Sequence, residues 1–312
     1  MSLDVRPLSE RDLDRADHIF RLAFGTFLGL ADPLCFGGDT DCVRTRFRSP
    51  CVSALAADLD GELAGSNFAT RWGSFGFFGP LTIRPDLWDR GIARRLLERT
   101  MTIFDDWKTT HRGLFTFSHS PKHHALYQKF GFYPRFLTAV LRKPISSSAT
   151  IALRRYSACA EGERSRWLDR QRELAGALYP GLDLAGEIRA TETNGLGDTV
   201  FVEDGDRLAG FAVCHVGSGT EAGSGACYVK FGAVDCGASA RGDFERLLDA
   251  CEAFGAARGA TRLVAGVNLA REQAYRALLE RGFRTDFVGV AMQSGNEPAF
   301  NRPQVLALDD WR

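Results

Sequence analysis

Apolar residues recur at helical spacing from Leu13 to Phe27, and from Val52 to Ala57 they alternate with polar ones as in a half-buried strand. Asp60 and Gly61 supply a hairpin turn, after which Glu62 to Arg71 returns as a second strand. Phe77 to Ile83 is a third apolar run, stopped by Arg84 and Pro85 because proline cannot continue a ladder. Ile92, Leu96, Ile103 and Trp107 then share one face of an amphipathic helix from about Gly91 to Lys108. Gly113 to Phe117 follows as a strand. A short helix from about Pro121 to Phe130 opens on proline and ends at Gly131, and Phe132 to Arg142 closes the unit as a last strand.

Lys143 to Thr150, with Pro144 and three serines, reads as a linker near the midpoint. Beyond it the order recurs: a helix over Glu161 to Ala177, then strands at Thr199 to Glu203, Leu208 to His215 and Ala226 to Val234. A helix at Gly242 to Arg258, a strand at Leu263 to Val267, a helix at Ala270 to Arg281 and a strand after Gly282 complete it. Arg90 and Gly91 map onto Arg241 and Gly242, Leu96 and Leu97 onto Leu247 and Leu248, and Gly131 and Phe132 onto Gly282 and Phe283. All three share one offset (241 − 90 = 247 − 96 = 282 − 131 = 151). The hairpin Asp60 and Gly61 maps onto Asp204 and Gly205 at 204 − 60 = 144, the glycine-rich insertion Gly217 to Gly225 making up the difference. The pattern predicts an internal repeat. Its expected units are residues 1–145 and 150–312, each a mixed α/β sheet flanked by helices, the second followed by a tail from Pro298 to Arg312 that packs across the boundary.

At 312 residues, two domains of ordinary size are the expectation. Lys plus Arg and Asp plus Glu are both 39, so no field of one sign draws nucleic acid or anionic lipid. The charged N-terminal stretch has no apolar core of a signal peptide, and no window of about eighteen apolar residues follows. A cytoplasmic location is expected. Eight cysteines without a C-x-x-C pair argue against a zinc ribbon or a thioredoxin-like redox site, and no metal is expected.

Candidate chemistry sits in two places. In Pro85 to Arg95, PDLWDRGIARR, a strand ends, Gly91 and Ala93 follow two apart, and a helix begins at once. Unpaired backbone N–H groups converge there at the positive end of a helix dipole, an arrangement suited to pyrophosphate. In Ser120 to Phe132, SPKHHALYQKFGF, Tyr127 lies four residues before Gly131, which leaves a phenol near the end of a short helix where it can give a proton to a leaving thiolate.

Together, in this order and on these elements, the two stretches resemble the GNAT superfamily of acyl-CoA-dependent N-acyltransferases. The family's loop [Q/R]-x-x-G-x-[G/A] is matched by Trp88 to Ala93, with Trp88 departing from the usual Gln or Arg. The resemblance implies acetyl-CoA as co-substrate and a small-molecule or peptide amine as acceptor. It also implies that Leu81, Thr82 and Ile83 hold the pantetheine arm and polarise the thioester carbonyl, that Asp89, Arg90, Gly91, Ile92, Ala93 and Arg94 form the phosphate cradle, and that Ser120 stands at the family's Asn. Tyr127 falls on the general-acid tyrosine. The strand Phe77 to Ile83 carries no carboxylate, so the base is sought in His119 and His123, His119 being the first candidate; a partly neutral amine would need neither.

At the common offset Ala93 becomes Phe244 and Tyr127 becomes Leu278, so the second unit is expected to have lost the cofactor, with Phe244 in the cradle. Asn268 is a further family-like residue there, away from the position of Ser120. Three readings stand: an N-acetyltransferase, a non-catalytic acyl-CoA-binding module, and an interaction protein that keeps only the fold. Phe24, Phe27, Phe36, Trp72 and Phe75 are candidates for an apolar acceptor pocket or for plain core.

Overall fold

The computed structural model describes residues 2–146 and 153–312, so Ser147 to Thr150 of the expected linker lie outside the described residues. The first half runs β1 (Leu3–Pro7), α1 (Leu13–Phe27), α2 (Cys42–Phe47), β2 (Val52–Leu59), β3 (Glu62–Trp72), β4 (Phe75–Phe78) and β5 (Thr82–Ile83). It continues with α3 (Ile92–Asp106), β6 (His111–Phe117), α4 (Pro121–Gln128) and β7 (Phe132–Pro144). The second half runs β8 (Arg154–Arg155), α5 (Glu161–Leu178), α6 (Ala185–Thr193), β9 (Gly197–Asp204), β10 (Arg207–Gly217) and β11 (Gly223–Val234). It ends with α7 (Ala240–Ala257), β12 (Arg262–Asn268), α8 (Glu272–Glu280), β13 (Arg284–Ser294) and β14 (Ala307–Leu308). Among the described residues no helix is long and apolar enough to cross a membrane.

The strands form one mixed sheet in the order β1-β2-β3-β4-β6-β13-β7-β12-β11-β10-β9-β8, with β5 on β3 and β14 on β11. The last strand of each half has crossed over. β7 does not pair with β6 but lies against β12, and β13 lies against β6. The cores follow the exchange: Ala139 and Leu141 of β7 pack in the cluster built on α7 and β11, while Val290 and Met292 of β13 pack with Leu96, Phe104 and Tyr127. These are equivalent positions (290 − 139 = 292 − 141 = 151). A third cluster, with Trp72, Phe75 and Phe77 against Phe231, Phe300 and Trp311, joins the halves on one face. Trp72 and Phe75 therefore belong to that shared core and not to a cleft. Each such aromatic, fully buried, contributes about 2 to 3 kcal/mol.

The run expected as one strand, Phe77 to Ile83, is two. Proline has no N–H for a ladder, and the chain bends at Gly79 and Pro80, leaving β4 paired with β3 and β6 while β5 pairs with β3 alone. β4 and β6 run parallel only as far as Phe78 opposite Leu114. Past that point a gap opens in the sheet between β5 and the end of β6.

Candidate active site

The gap is lined on one side by backbone. Arg84 N–H donates to Ala64 O and Ile83 stands opposite Gly65, so the alternation of an antiparallel ladder turns the N–H of Ile83 away from β3 and toward the gap. Leu81 stands just before β5, half-buried against the α3 core. Thr82 faces the other way, buried, with its hydroxyl 3.2 Å from that of Ser66. Trp88 Nε1 donates to the Ile83 carbonyl at 2.8 Å, so the departure from Gln or Arg at this position brings a donor that fixes the strand end.

From there the chain enters α3 through Asp89 (φ 66°) and Gly91 (φ 78°), both in the left-handed region. Gly91 is the N-cap, and no side chain bonds to the first turn of α3. The N–H groups of the first turn thus keep their intrahelical vacancy. A Cβ on Gly91 would meet open space, so what glycine supplies here is the backbone angle. Ala93 is half-buried against the α3 core, and Arg90, Arg94 and Arg95 are exposed around the turn. Lys122, which the sequence reading passed over, ties this loop to α4: its Nζ lies 2.7 Å from an Asp89 carboxylate oxygen and 5.6 Å from the Trp88 ring centroid. A lysine directly after the N-terminal proline of α4 was the available signal.

Ser120 is the N-cap of α4, its hydroxyl accepting from the His123 N–H at 3.4 Å. Tyr127, in the last turn of α4 next to its final residue Gln128, is buried with its ring 5.7 Å from Phe78, the residue at which the gap opens. Burial pushes its pKa well above the ordinary phenol value, partly offset by a hydrogen bond with Thr116, so the hydroxyl keeps its proton. His123 Nδ1 lies 3.5 Å from Thr116 Oγ1, and burial, with the charge of Lys122 second, lowers its pKa to about 4. His119 is exposed, its ring 5.8 Å from Phe27. Phe27 stacks on Phe117 at 4.8 Å and on His123 at 5.0 Å, and Phe24 stacks on Phe36 at 5.0 Å. Of the five aromatics considered for an acceptor pocket, these three gather beside the α4 end of the gap.

The second half differs at every corresponding point. The offset of 151 holds in the sheet, since Phe75 pairs with His111 and Ala226 with Arg262 (226 − 75 = 262 − 111 = 151). Phe244 does not enter the loop. It is fully buried beside Leu247, Leu248 and Phe254, because the helix begins earlier than in the first half. α7 starts at Ala240 behind Ser239, so Gly242 lies within the first turn without a positive φ. Leu278 is likewise core, and Asn268 donates to Thr138 Oγ1 at 3.3 Å.

Residues 21–132 match the family described as Acetyltransferase (GNAT) family. Among solved structures, the chain is similar over 99% of its length, and 95% of the other chain, to a provisionally assigned acetyltransferase from Pyrococcus horikoshii, at 14% identity and a TM-score of 0.69. A tandem GNAT protein from the clavulanic acid biosynthesis pathway aligns over 94% of this chain and 98% of its own, at 14% identity and a TM-score of 0.58. A GCN5-related N-acetyltransferase from Sphaerobacter thermophilus aligns over 94% and 95%, at 13% identity and a TM-score of 0.56. At these identities the likeness is one of fold. No curated protein matches the sequence.

Proposed function

We propose, from a chain whose residues 21–132 match the GNAT acetyltransferase family, that it moves the acetyl group of acetyl-CoA to a primary amine of a small molecule or peptide, in the first half alone. The observation that carries this reading is the Ile83 N–H directed into the gap that opens at Phe78, with the Tyr127 ring packed on Phe78. The pantetheine arm lies along Leu81 to Ile83, its pyrophosphate at the first turn of α3 between Asp89 and Arg94, with Gly91, Ile92 and Ala93 supplying the close backbone approach. Ser120 shapes the α4 end of the slot.

The neutral amine attacks the thioester carbon in a ternary complex. As the N–C bond forms, negative charge on the carbonyl oxygen is met by the Ile83 N–H. The C–S bond then breaks, Tyr127 gives its proton to the departing sulfur, and the proton lost by the amine passes to His119 or to water. All eight cysteines are free, in keeping with a reducing compartment such as the cytoplasm. The test is thiol release from acetyl-CoA with a panel of amines, amino acids, aminoglycosides and peptides, products weighed by mass spectrometry. Amine-dependent release of CoA with acetylated amine is expected; tight CoA binding without turnover on any amine sinks the catalytic reading.

A further inference from the structure

The counterparts of Leu81, Thr82 and Ile83 in the second half are Gly232, Ala233 and Val234 (232 − 81 = 234 − 83 = 151). None of the three is free. Gly232 pairs with Leu308 and Ala233 with Ala307, and the Val234 N–H, counterpart of the one directed into the first gap, donates to Leu306 O at 3.2 Å. β14 thus lies where the sheet splays between β11 and β12, antiparallel to β11. Arg271, counterpart of Ser120 (271 − 120 = 151), is fully buried and clamps the same segment: Nη1 donates to Ala307 O at 2.9 Å and to Asp309 Oδ2 at 2.7 Å, and Nη2 to Asp309 O at 2.9 Å. A side chain at Gly266 would collide with Asp310, so β12 is shaped to let the segment cross it.

The phosphate end has changed as well. Ile92 of the first half becomes Asp243 (243 − 92 = 151), a buried carboxylate in the first turn of α7 that accepts from Ser239 Oγ at 2.7 Å and from Arg246 Nη1 at 3.0 Å. A fixed negative charge in the first turn of a helix meets the positive end of its dipole and repels a second anion there.

We propose that the second half is a strand-binding module made from an acyl-CoA slot: its gap takes an extended peptide in place of the thioester arm, and Leu306 to Asp309 of this same chain are its resident ligand. Main-chain pairing along Gly232 to Val234 holds the strand, as in other cases of strand addition, and Arg271 selects an acidic residue at the position of Asp309. Asp243 adds a negative charge at the phosphate end, so acyl-CoA is blocked at the thioester arm and repelled at the phosphates. The comparison with the first half rests on reading that half as the cofactor site; the strand assignment does not.

The experiment is amide hydrogen exchange by mass spectrometry on the full chain, with and without CoA, in the native protein and in Asp309→Asn and Arg271→Gln. In the native protein, CoA is expected to slow exchange over 81–83 and 91–94 and to leave 232–234 and 241–245 unchanged and already slow. Each variant is expected to speed exchange over 232–234 and 305–309 at least tenfold while 81–94 stays as in the native chain; Asp309→Asn, being nearly isosteric, keeps the arm readable if Arg271→Gln does not fold. Protection of 232–234 by CoA, or unchanged exchange there in the folded variants, overturns the proposal. CoA that protects neither half overturns the reading of the first half, and the variant arm still decides the strand assignment.

Discussion

Thr138 lies directly across the sheet from Gly289, and the two are the same position of the repeat (289 − 138 = 151). A residue paired with its own counterpart marks an approximate two-fold axis between β7 and β13. Neighbouring pairs obey it: Gly289 stands opposite Phe117 as Thr138 stands opposite Asn268, with 268 − 117 = 151. The two exchanged strands run antiparallel about this axis, and that is why one sheet spans both halves.

Tyr127→Phe keeps the ring that packs on Phe78 and removes only the proton donor. Turnover is expected to fall by about 10²- to 10⁴-fold, with the CoA dissociation constant and thermal midpoint little changed. Thiol-release kinetics alongside calorimetry check this. A mutant of near-native turnover removes Tyr127 from the mechanism, and an isolated acetyl-enzyme replaces direct attack with a two-step route.

One CoA is expected per chain, and the two equivalent glycines separate the halves. Gly91 has φ 78°, which a β-branched residue adopts only under strain, so Gly91→Val distorts the turn before α3 and costs about 1 to 3 kcal/mol locally. Loss of at least a hundredfold in CoA affinity is the expected result. Gly242→Val sits within a helical turn with no atom close to a new Cβ and should leave a stoichiometry near one. Two sites in the native chain, or a site lost only with Gly242→Val, would reverse the assignment of the halves.

Stability should fall as the medium is acidified from about pH 6.5 toward 4. Burial lowers the pKa of His111, His123 and His215 to about 4, so over this window the unfolded chain binds protons that the folded chain refuses. Each such proton contributes a slope of up to about 1.4 kcal/mol per pH unit. Asp309 opposes them: burial raises it to about 6 against the pull of Arg271, so it gains a proton in the fold first and its own cost declines as pH drops. Three groups against one leave a net loss. Urea midpoints measured from pH 7 to 4.5 should decline, less steeply in His215→Gln and more steeply in Asp309→Asn; a flat profile contradicts the account.

Much of this was legible in the sequence, because periodicity is local. α1 begins and ends at the expected residues Leu13 and Phe27, and the strand and helix order of both halves follows the hydrophobic pattern. What escaped was non-local. The repeat states that two equivalent last strands exist but not which β-strand each will join, and β7 can meet β6 or β12 with the same chemistry. The ring of Phe244 was visible, yet its direction depends on where α7 starts, and α7 starts at Ala240, behind Ser239, whose hydroxyl bonds the Asp243 carboxylate of the first turn. Leu306 to Leu308 is too short to show a period, and its meaning comes from the gap it fills. α2 and α6 went unread for a similar reason, being short and carrying no clear apolar stripe.

Cutting the chain within 147–152 should leave the fragments bound to each other. β7 belongs to the first fragment yet is hydrogen-bonded on one edge to β12 and on the other to β13, both of the second. Separation would expose both edges, and with them Ala139, Leu141, Val290 and Met292, all buried in the opposite half's core. Trp72, Phe75 and Trp311 would lose their shared cluster, and the buried pair of Arg46 with Glu221, at 3.1 Å, would break, leaving Arg46 without its carboxylate while Glu221 keeps Lys230 at 2.7 Å. Breaking such a pair alone typically costs about 3 to 5 kcal/mol. A protease site placed in 147–152 and cleaved in the folded protein tests this by size-exclusion chromatography. Co-elution of both pieces at the size of the intact chain, with activity retained, is expected. A first fragment that elutes alone, folded and active, would mean that β7 can return to β6 and that the exchange is dispensable to the site.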